Sequence, residues 1–480
     1  MTNGTKQNSL HVYLGHGRKI ATLTLPTGTE TEMAMVYEPN WQKEGFPVSP
    51  HLPLDGNFER NAVRNFLQNM LPEGKGLEEI TTNTTLSKNN TFGLIKLIGS
   101  ETSGALSFAS GEEGKKETAF REISDVELTN KLSGMKRTGA AITIWDGKTR
   151  LSVAGVQDKL NLLEIDGQLG FGEGALCSNK IFKFETDKAP FIAVNELFTM
   201  TLAKNAGLDV PPVEIRSYGE VRTFVIERFD RKVELANMRV RRRHVIDGCQ
   251  AVNLPPSYKY ERQHGDEGDG IYIRDGVSFA KLFDIAVANP QAYRVQLIRW
   301  MTFNILARNY DAHGKNISFF VSHKGLTLAP FYDLVNIEAI ISDIQARQSA
   351  NPIEVSNSTQ HFAMSIGDHE SGGEGNFNPP ITAYMLADMA VEIGMSLPRM
   401  QLLMTQMIKS VSGAIESTYE QTLAQGPSND EVKHVGLCIK VVEQSIAELS
   451  AQVSQKHRNG RGGLSLTPRH ERTYLQVRAD

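Results

Sequence analysis

Apolar and polar positions alternate near the start of the chain. Val12 and Leu14 precede a His16-Gly17 turn, and Ile20, Leu23 and Leu25 follow, which predicts a β-hairpin over 11–25. Residues 33–37 read as another strand. The period then lengthens: Val63, Phe66, Leu67 and Met70 fall at i, i+3, i+4 and i+7, the spacing of one helix face. Leu71-Pro72-Glu73-Gly74 ends that helix, because proline and glycine do not continue one. Residues 1–110 therefore read as a small α+β domain, and 111–116 as a polar connector. Strands dominate 140–270, at 141–145, 160–165, 180–184 and 222–227. One helix interrupts them at 194–206, with Gly207 placed as its C-cap. Helices dominate 271–455: Leu297, Met301 and Ile305 share a stripe, and 381–425 and 431–454 carry helical periods. Residues 258–270 and 367–379 read as charged, glycine-containing loops. The basic, apolar-poor stretch 456–480 reads as disordered tail. The fold class expected is α+β, a strand-rich lobe followed by a helical lobe, in the two-lobed outline of a protein kinase.

Composition narrows the class without choosing it. The chain has 480 residues, 40% hydrophobic and 22% charged, as expected of a globular protein with a large core. A net charge of −4 argues against a chain that coats nucleic acid by itself. Cys177, Cys249 and Cys438 are too far apart to suggest a disulfide framework or a zinc site, which fits a reducing compartment. Residues 1–11 lack an apolar core, so no secretory signal is expected. No stretch approaches the roughly 20 apolar residues of a membrane span. A cytoplasmic chain with no membrane partner is the expectation.

The candidate chemistry lies in five stretches. In Asp311-Ala312-His313-Gly314-Lys315-Asn316, an Asp stands five residues before an Asn, the spacing of a kinase catalytic loop. There the Asp takes or orients the substrate hydroxyl proton and the Asn binds Mg²⁺. His313, Gly314 and Lys315 lie between them, within reach of phosphate oxygens. A polar turn after a helix is the plainer alternative. In Phe331-Tyr332-Asp333-Leu334, an Asp ends an apolar run, where kinases place a second metal ligand; a helix N-cap fits equally well locally. The order of catalytic loop, hairpin over 317–328 and metal Asp favours the kinase reading. Ser152-Val153-Ala154-Gly155-Val156-Gln157-Asp158-Lys159 lies between two strands, and its small residues would let backbone amides approach phosphates, although a plain hairpin also fits. Lys183 sits in an apolar strand, which is costly unless its charge is paired, and Glu196 is the candidate partner; an edge lysine facing solvent is the alternative. Glu227-Arg228-Phe229-Asp230-Arg231 ends another strand at the place of an adenine-binding hinge. Arg239, Arg241, Arg242 and Arg243 offer either a DNA contact or a solvated strand face.

Together these stretches resemble the HipA family of serine/threonine toxin kinases. Leu71-Pro72-Glu73, Asn195-Glu196, Ala206-Gly207-Leu208, Cys249-Gln250 and Leu254-Pro255-Pro256-Ser257 add to the likeness, which runs to about residue 450. The resemblance implies ATP and Mg²⁺ as cofactors, with Asp311 as catalytic base and Asn316 and Asp333 as metal ligands. It implies ATP contacts from Ala154, Gly155, Val156, Gln157, Asp158, Lys159, Lys183, Glu227, Arg228, Phe229, His313, Gly314, Lys315, Asn316, Tyr332 and Asp333. Ser152 would be an inhibitory autophosphorylation site, because phosphate adds about −1.5 to −2 charges beside the triphosphate. The implied partners are a HipB-type helix-turn-helix antitoxin dimer, operator DNA bound through that complex, and a protein substrate, an aminoacyl-tRNA synthetase such as the glutamyl enzyme. Ala312 and Gly314 are swapped relative to the family pattern, and Asp158 replaces a Glu, with no charge or ligand lost. The competing readings are a catalytically silent DNA-bound corepressor and a small-molecule or lipid kinase. The complete set Lys183, Asp311, Asn316 and Asp333 speaks against the first.

Overall fold

The computed structural model describes residues 8–455 except 16, 27, 83, 100–101, 112–116, 139–141, 143, 147, 150–158, 186–189, 265–272, 350–360 and 368–380. The N-terminal hairpin forms as read, with Asn8–Leu14 antiparallel to Arg18–Leu25; its turn residue His16 lies outside the described residues. Ala34–Tyr37 and Leu106–Ala109 complete a four-stranded antiparallel sheet. Leu10 and Val12 are buried in alternation with Ala21, Leu23 and Leu25 opposite, and a register shift after Val12 buries Ile20 as well. The helix Ala62–Gln68 stops where expected, but Gly74 then opens a second helix, Gly74–Thr82, from a φ of +53°. A third, Thr91–Ile98, was not foreseen. Asn90 caps it, and the Glu30 carboxylate receives the Thr91 and Phe92 amides.

The second sheet has six antiparallel strands in the order Val213–Tyr218, Val221–Glu227, Lys180–Phe184, Lys159–Ile165, Gln168–Glu173 and Ala119–Glu122. The period of two sorts its faces. Leu160, Leu162, Phe182, Phe184 and Val225 share one core with Leu128, Leu132 and Met135 of the helix Asp125–Thr138. Phe224, Ile226 and Ile215 join the main core instead, with the helix Ile192–Asn205. Lys183 pairs in register with Phe224 and so lies on that second face. In the segment read as 141–145, Ile144–Trp145 is strand, and Ala141 and Thr143 lie outside the described residues.

The helix Ile192–Asn205 ends as expected. Gly207 takes φ +86°, its amide reaches Lys204 O and the Leu208 amide reaches Ala203 O. The third part of the chain is mainly helical: Pro290–Leu306, Ile337–Ser349, Ala383–Glu392, Leu397–Leu423 and Asn429–Val453. The segment read as one helical stretch over 381–425 is two helices, divided at Gly394, which takes φ +60°. A three-stranded sheet, Val245–Asp247 with the hairpin Ser318–Ser322 and Gly325–Leu328, sits between the helices and the strand-rich part. One apolar core runs from Leu10 and Leu23 through Phe198 and Phe224 to Trp300 and Val442. The tail 456–480 and the central parts of both charged loops lie outside the described residues.

Candidate active site

Lys183, Glu196 and Asp333 meet where the second sheet faces the helical part. The strand Lys180–Phe184 alternates, so Phe182 and Phe184 bury on one side and Lys183 projects on the other. Its ammonium reaches Glu196 Oε1 at 2.5 Å and also bonds Asp333 Oδ1. Glu196 is 1% exposed, on the second turn of Ile192–Asn205, whereas Asp333 keeps 38% of its side chain open. The two carboxylates differ accordingly. Burial pushes Glu196 up to about 7, outweighing the pull of Lys183. Burial also works against ionised Asp333, but the adjoining Lys183 ammonium overrides it and holds Asp333 at about 2. Lys159 lies directly across the strand pair from Lys183, and burial lowers it to about 8 despite the attraction of Asp333. Two ammonium groups thus flank one persistent carboxylate.

The segments bearing these groups are locked together. Asn195, next to Glu196, donates to Asn336 O at 3.0 Å, and the Asn336 amide donates to Asn195 Oδ1 at 2.8 Å. Asn336 Oδ1 also accepts the Ala339 amide at the start of Ile337–Ser349. This fixes the chain three residues beyond Asp333 to the helix of Glu196. Asp333 itself holds φ +59°, a left-handed backbone that an aspartate adopts at some cost.

Asp311 to Asn316 forms a compact turn after Pro290–Leu306. Asn316 Nδ2 donates to Asp311 O at 2.7 Å, which leaves the Asn316 Oδ1 as the acceptor end of the amide. Asp311 is exposed, and Tyr260 Oη donates to its Oδ1 at 2.7 Å. His313 is buried, and burial lowers its pKa, favouring the neutral ring. Gly314 closes on the neighbouring segment, its amide donating to Lys259 O at 2.9 Å. A Cβ there would stand 2.6 Å from Val277, so glycine is required by contact. The Lys315 ammonium donates to Asn69 O (2.9 Å), Asn69 Oδ1 (3.1 Å) and Asp247 Oδ2 (2.7 Å). Those bonds use its three protons, so Lys315 anchors the loop to the N-terminal unit in this state instead of pointing at phosphate.

At the hinge position, the amides of Glu227 and Arg228 donate to Pro212 O and Asn179 O. The Glu227 side chain is exposed and pairs with Lys180 at 3.3 Å. Arg228 is buried and grips Asp230 at 3.0 and 2.9 Å, while Arg231 adds a bond of 2.6 Å to the same carboxylate. The pair reaches the N-terminal unit: Gly104 N donates to Asp230 Oδ2, and Arg231 donates to Gly104 O and Thr102 O. Phe229 packs against Tyr332, ring centroids 5.7 Å apart, and Tyr332 donates to Lys315 O at 2.7 Å.

The structure therefore brings Lys159, Lys183, Glu196 and Asp333 into one cluster and sets Asp311, His313 and Asn316 in one turn. It commits Arg228 and Lys315 to structural bonds. Ser152, Ala154, Gly155, Val156, Gln157 and Asp158 lie outside the described residues. Arg239 and Arg241 pair with Glu234, Arg242 donates to Thr102 O, and Arg243 covers the Phe320 ring at 3.4 Å. Sequence reasoning missed Tyr260, Asn336 and the Arg228–Asp230–Arg231 cluster. The run Arg228-Phe229-Asp230-Arg231 did signal the last, since alternating opposite charges beside an apolar strand can bury only as pairs.

A strand lysine paired with a helix glutamate, an Asp five residues before an Asn, and an Asp after the next hairpin are arranged as in protein kinases. Comparisons carry this further. Residues 10–109 match the HipA N-terminal domain, and 151–415 match the HipA-like C-terminal domain. The serine/threonine-protein kinase toxin HipA of Shewanella oneidensis is 39% identical over 85% of this chain and 89% of its own. A putative kinase of Sinorhizobium fredii, Y4mE, is 29% identical over 82% and 88%. The solved complex of Shewanella oneidensis MR-1 HipA, HipB and operator DNA aligns with a TM-score of 0.78 at 35% identity, covering 92% of this chain and 98% of that one. The chain belongs to the HipA family and is a serine/threonine-protein kinase. Among the described residues no helix is long and apolar enough to cross a membrane.

Proposed function

We propose that this chain is the toxin of a toxin–antitoxin module and transfers the ATP γ-phosphate to a serine hydroxyl of a protein. The observation that carries the reading is Lys183 held between Glu196 and Asp333, since one cation seated by two carboxylates is preorganised for a polyphosphate. Lys183 and Lys159 would contact phosphate oxygens. Asp311, exposed at the mouth, would accept the substrate hydroxyl proton. Backbone groups of 227–229 other than the Glu227 and Arg228 amides would face adenine, and Phe229 with Tyr332 would give it an apolar wall.

The donor set suits Mg²⁺. The ion prefers oxygen ligands and is usually held by one or two protein groups plus phosphates. Asp333 offers an ionised carboxylate, and Asn316 an amide oxygen whose nitrogen is already used. Among the described residues no cluster of three or more His, Cys, Asp or Glu is placed to hold a metal alone, so the nucleotide would supply the remaining ligands. Bound there, the ion would neutralise phosphate charge. The residues Ala154 to Lys159 form the nucleotide loop of this reading, with Ser152 as the site whose phosphorylation silences it. The unit boundaries proposed are 1–110, 140–270, 271–455 and the tail 456–480.

The solved relative is a complex with HipB and operator DNA. We therefore assign this chain a HipB-type helix-turn-helix antitoxin dimer, and operator DNA reached through that dimer in autorepression. The four arginines of 239–243 are engaged within the chain, which favours DNA contact mainly through the antitoxin. The substrate proposed is an aminoacyl-tRNA synthetase, the glutamyl enzyme first, in the cytoplasm. Incubation with Mg·ATP and purified glutamyl-tRNA synthetase, with phosphopeptide mapping, tests this. A phosphoserine on the synthetase and loss of aminoacylation support it. An unmodified synthetase beside an autophosphorylated kinase refutes that substrate, and a chain that only represses its operator with the antitoxin favours the silent corepressor.

A further inference from the structure

A side chain bonded to the carboxylate of the proposed base is neither in the catalytic loop nor among the phosphate contacts. Tyr260 Oη donates to Asp311 Oδ1 at 2.7 Å. An aspartate has two carboxylate oxygens, and a substrate hydroxyl needs one of them. Either Tyr260 holds the place of the substrate and must leave, or it fixes one oxygen so that the other is presented. The mounting of Tyr260 decides between these.

A gate needs a mobile support, and residues 258–261 are tied on every side. The carbonyl of Tyr258 accepts the Val277 amide, and that of Lys259 accepts the Gly314 amide from the catalytic loop. The amide of Glu261 donates to Ala363 O, and the Gly276 amide donates to Glu261 O. The Glu261 carboxylate, 2% exposed, accepts the Ser365 amide at 2.6 Å and pairs with Arg274. Lys259 pairs with Glu73 of the N-terminal unit at 2.7 Å. Gly276 is packed so closely against this strap that a Cβ there would lie 1.8 Å from Tyr260 O. The Tyr260 ring itself stands edge-on to His313, centroids 5.1 Å apart, with the Lys259 ammonium 5.3 Å from its own centroid.

We infer that Tyr260 is a positioning residue for Asp311: its hydroxyl pins Oδ1 and leaves Oδ2 for the hydroxyl of the protein substrate. This rests on the assignment of Asp311 as base. The N-terminal unit takes part through Glu73, whose carboxylate is held low by Lys315 and Lys259 against the effect of burial. Glu73 sits 2.7 Å from Lys259 on the strap and 3.7 Å from Lys315 on the catalytic loop, so one side chain sets the spacing of the two segments that Tyr260 and Asp311 bridge.

The test is steady-state phosphotransfer to a protein substrate by the full chain for wild type, Tyr260→Phe, Tyr260→Ala and Asp311→Asn, with kcat and KM for ATP separated. Tyr260→Phe is expected to lower kcat roughly tenfold with KM for ATP unchanged. Tyr260→Ala should do the same, with added loss from the missing ring. A kcat that rises in Tyr260→Phe overturns the inference in favour of a substrate-mimicking gate. An unchanged kcat in Tyr260→Phe overturns it outright. If Asp311→Asn keeps full activity, the assignment of the base is what fails, and the Tyr260 result is then read separately.

Discussion

Replacing Glu196 by Gln separates stability from activity at the centre of the site. Glu196 is 1% exposed and its ordinary pKa of 4.5 is pushed up to about 7. A carboxyl whose folded pKa exceeds its unfolded value favours folding while it is protonated. That contribution is complete below about pH 4.5 and is lost as pH rises through 7. At 1.36 kcal/mol per pKa unit, the folded protein above pH 8 carries a penalty of about 3 kcal/mol for keeping Glu196 ionised. Gln keeps the shape and an oxygen for Lys183 but does not ionise. Relative to wild type, Glu196→Gln should therefore gain about 3 kcal/mol between about pH 5 and pH 8.5. At roughly 1 °C per kcal/mol for a chain this long, that is about 3 °C in Tm. Melting curves of both proteins at the two pH values measure it. Phosphotransfer should fall roughly tenfold to a hundredfold at the same time, because Lys183 then keeps only one charged anchor. A stability difference that is flat in pH, or that moves against Glu196→Gln as pH rises, refutes the reasoning.

Other perturbations follow from the same geometry. Asp230→Ala leaves the buried guanidinium groups of Arg228 and Arg231 without their shared carboxylate, and should cost about 3–5 kcal/mol in a thermal melt. Limited proteolysis of that variant should also cut first near 102–104, where Arg231 and Asp230 hold the N-terminal unit. Burial lowers His244 and His434 to about 4 each, so the unfolded chain binds more protons between pH 6.5 and 4. Stability should fall as pH drops through that window, and His244→Gln should flatten the fall in a denaturant titration against pH. Lys315→Met strands Asp247 and releases Asn69, and should lower both Tm and kcat, with KM for ATP little changed because its ammonium is spent on the N-terminal unit.

The elements read well from sequence are those whose period matched one clear face. The hairpin over 11–25, the strand of Lys183, the helix of Glu196 with Gly207 beyond it and the hairpin over 317–328 all lie within a few residues of expectation. The helices Gly74–Thr82 and Thr91–Ile98 were missed because proline, glycine and asparagine surround them, and the start of the second is set by Glu30 and Asn90 instead of by propensity. The strands Val213–Tyr218 and Gln168–Glu173 carry exposed polar residues and exist through pairing with neighbours. In the site, Lys183 with Glu196 was legible because a lysine in an apolar strand needs an anion. Lys315 was not, since its acceptors on Asn69 come from 246 residues away. Tyr260 was invisible for the same reason: nothing local marks a tyrosine whose role is to hold an aspartate 51 residues further on.

The most direct test of the account is intact mass after incubation of the full chain with Mg·ATP, set beside Asp311→Ala and Asp333→Ala. Phosphoryl transfer by this cluster predicts a gain of one phosphoryl group in the wild-type chain, mapped to Ser152, and none in either variant. A wild-type chain that binds ATP but gains no mass and modifies no added protein, or variants that gain as much as wild type, would contradict it.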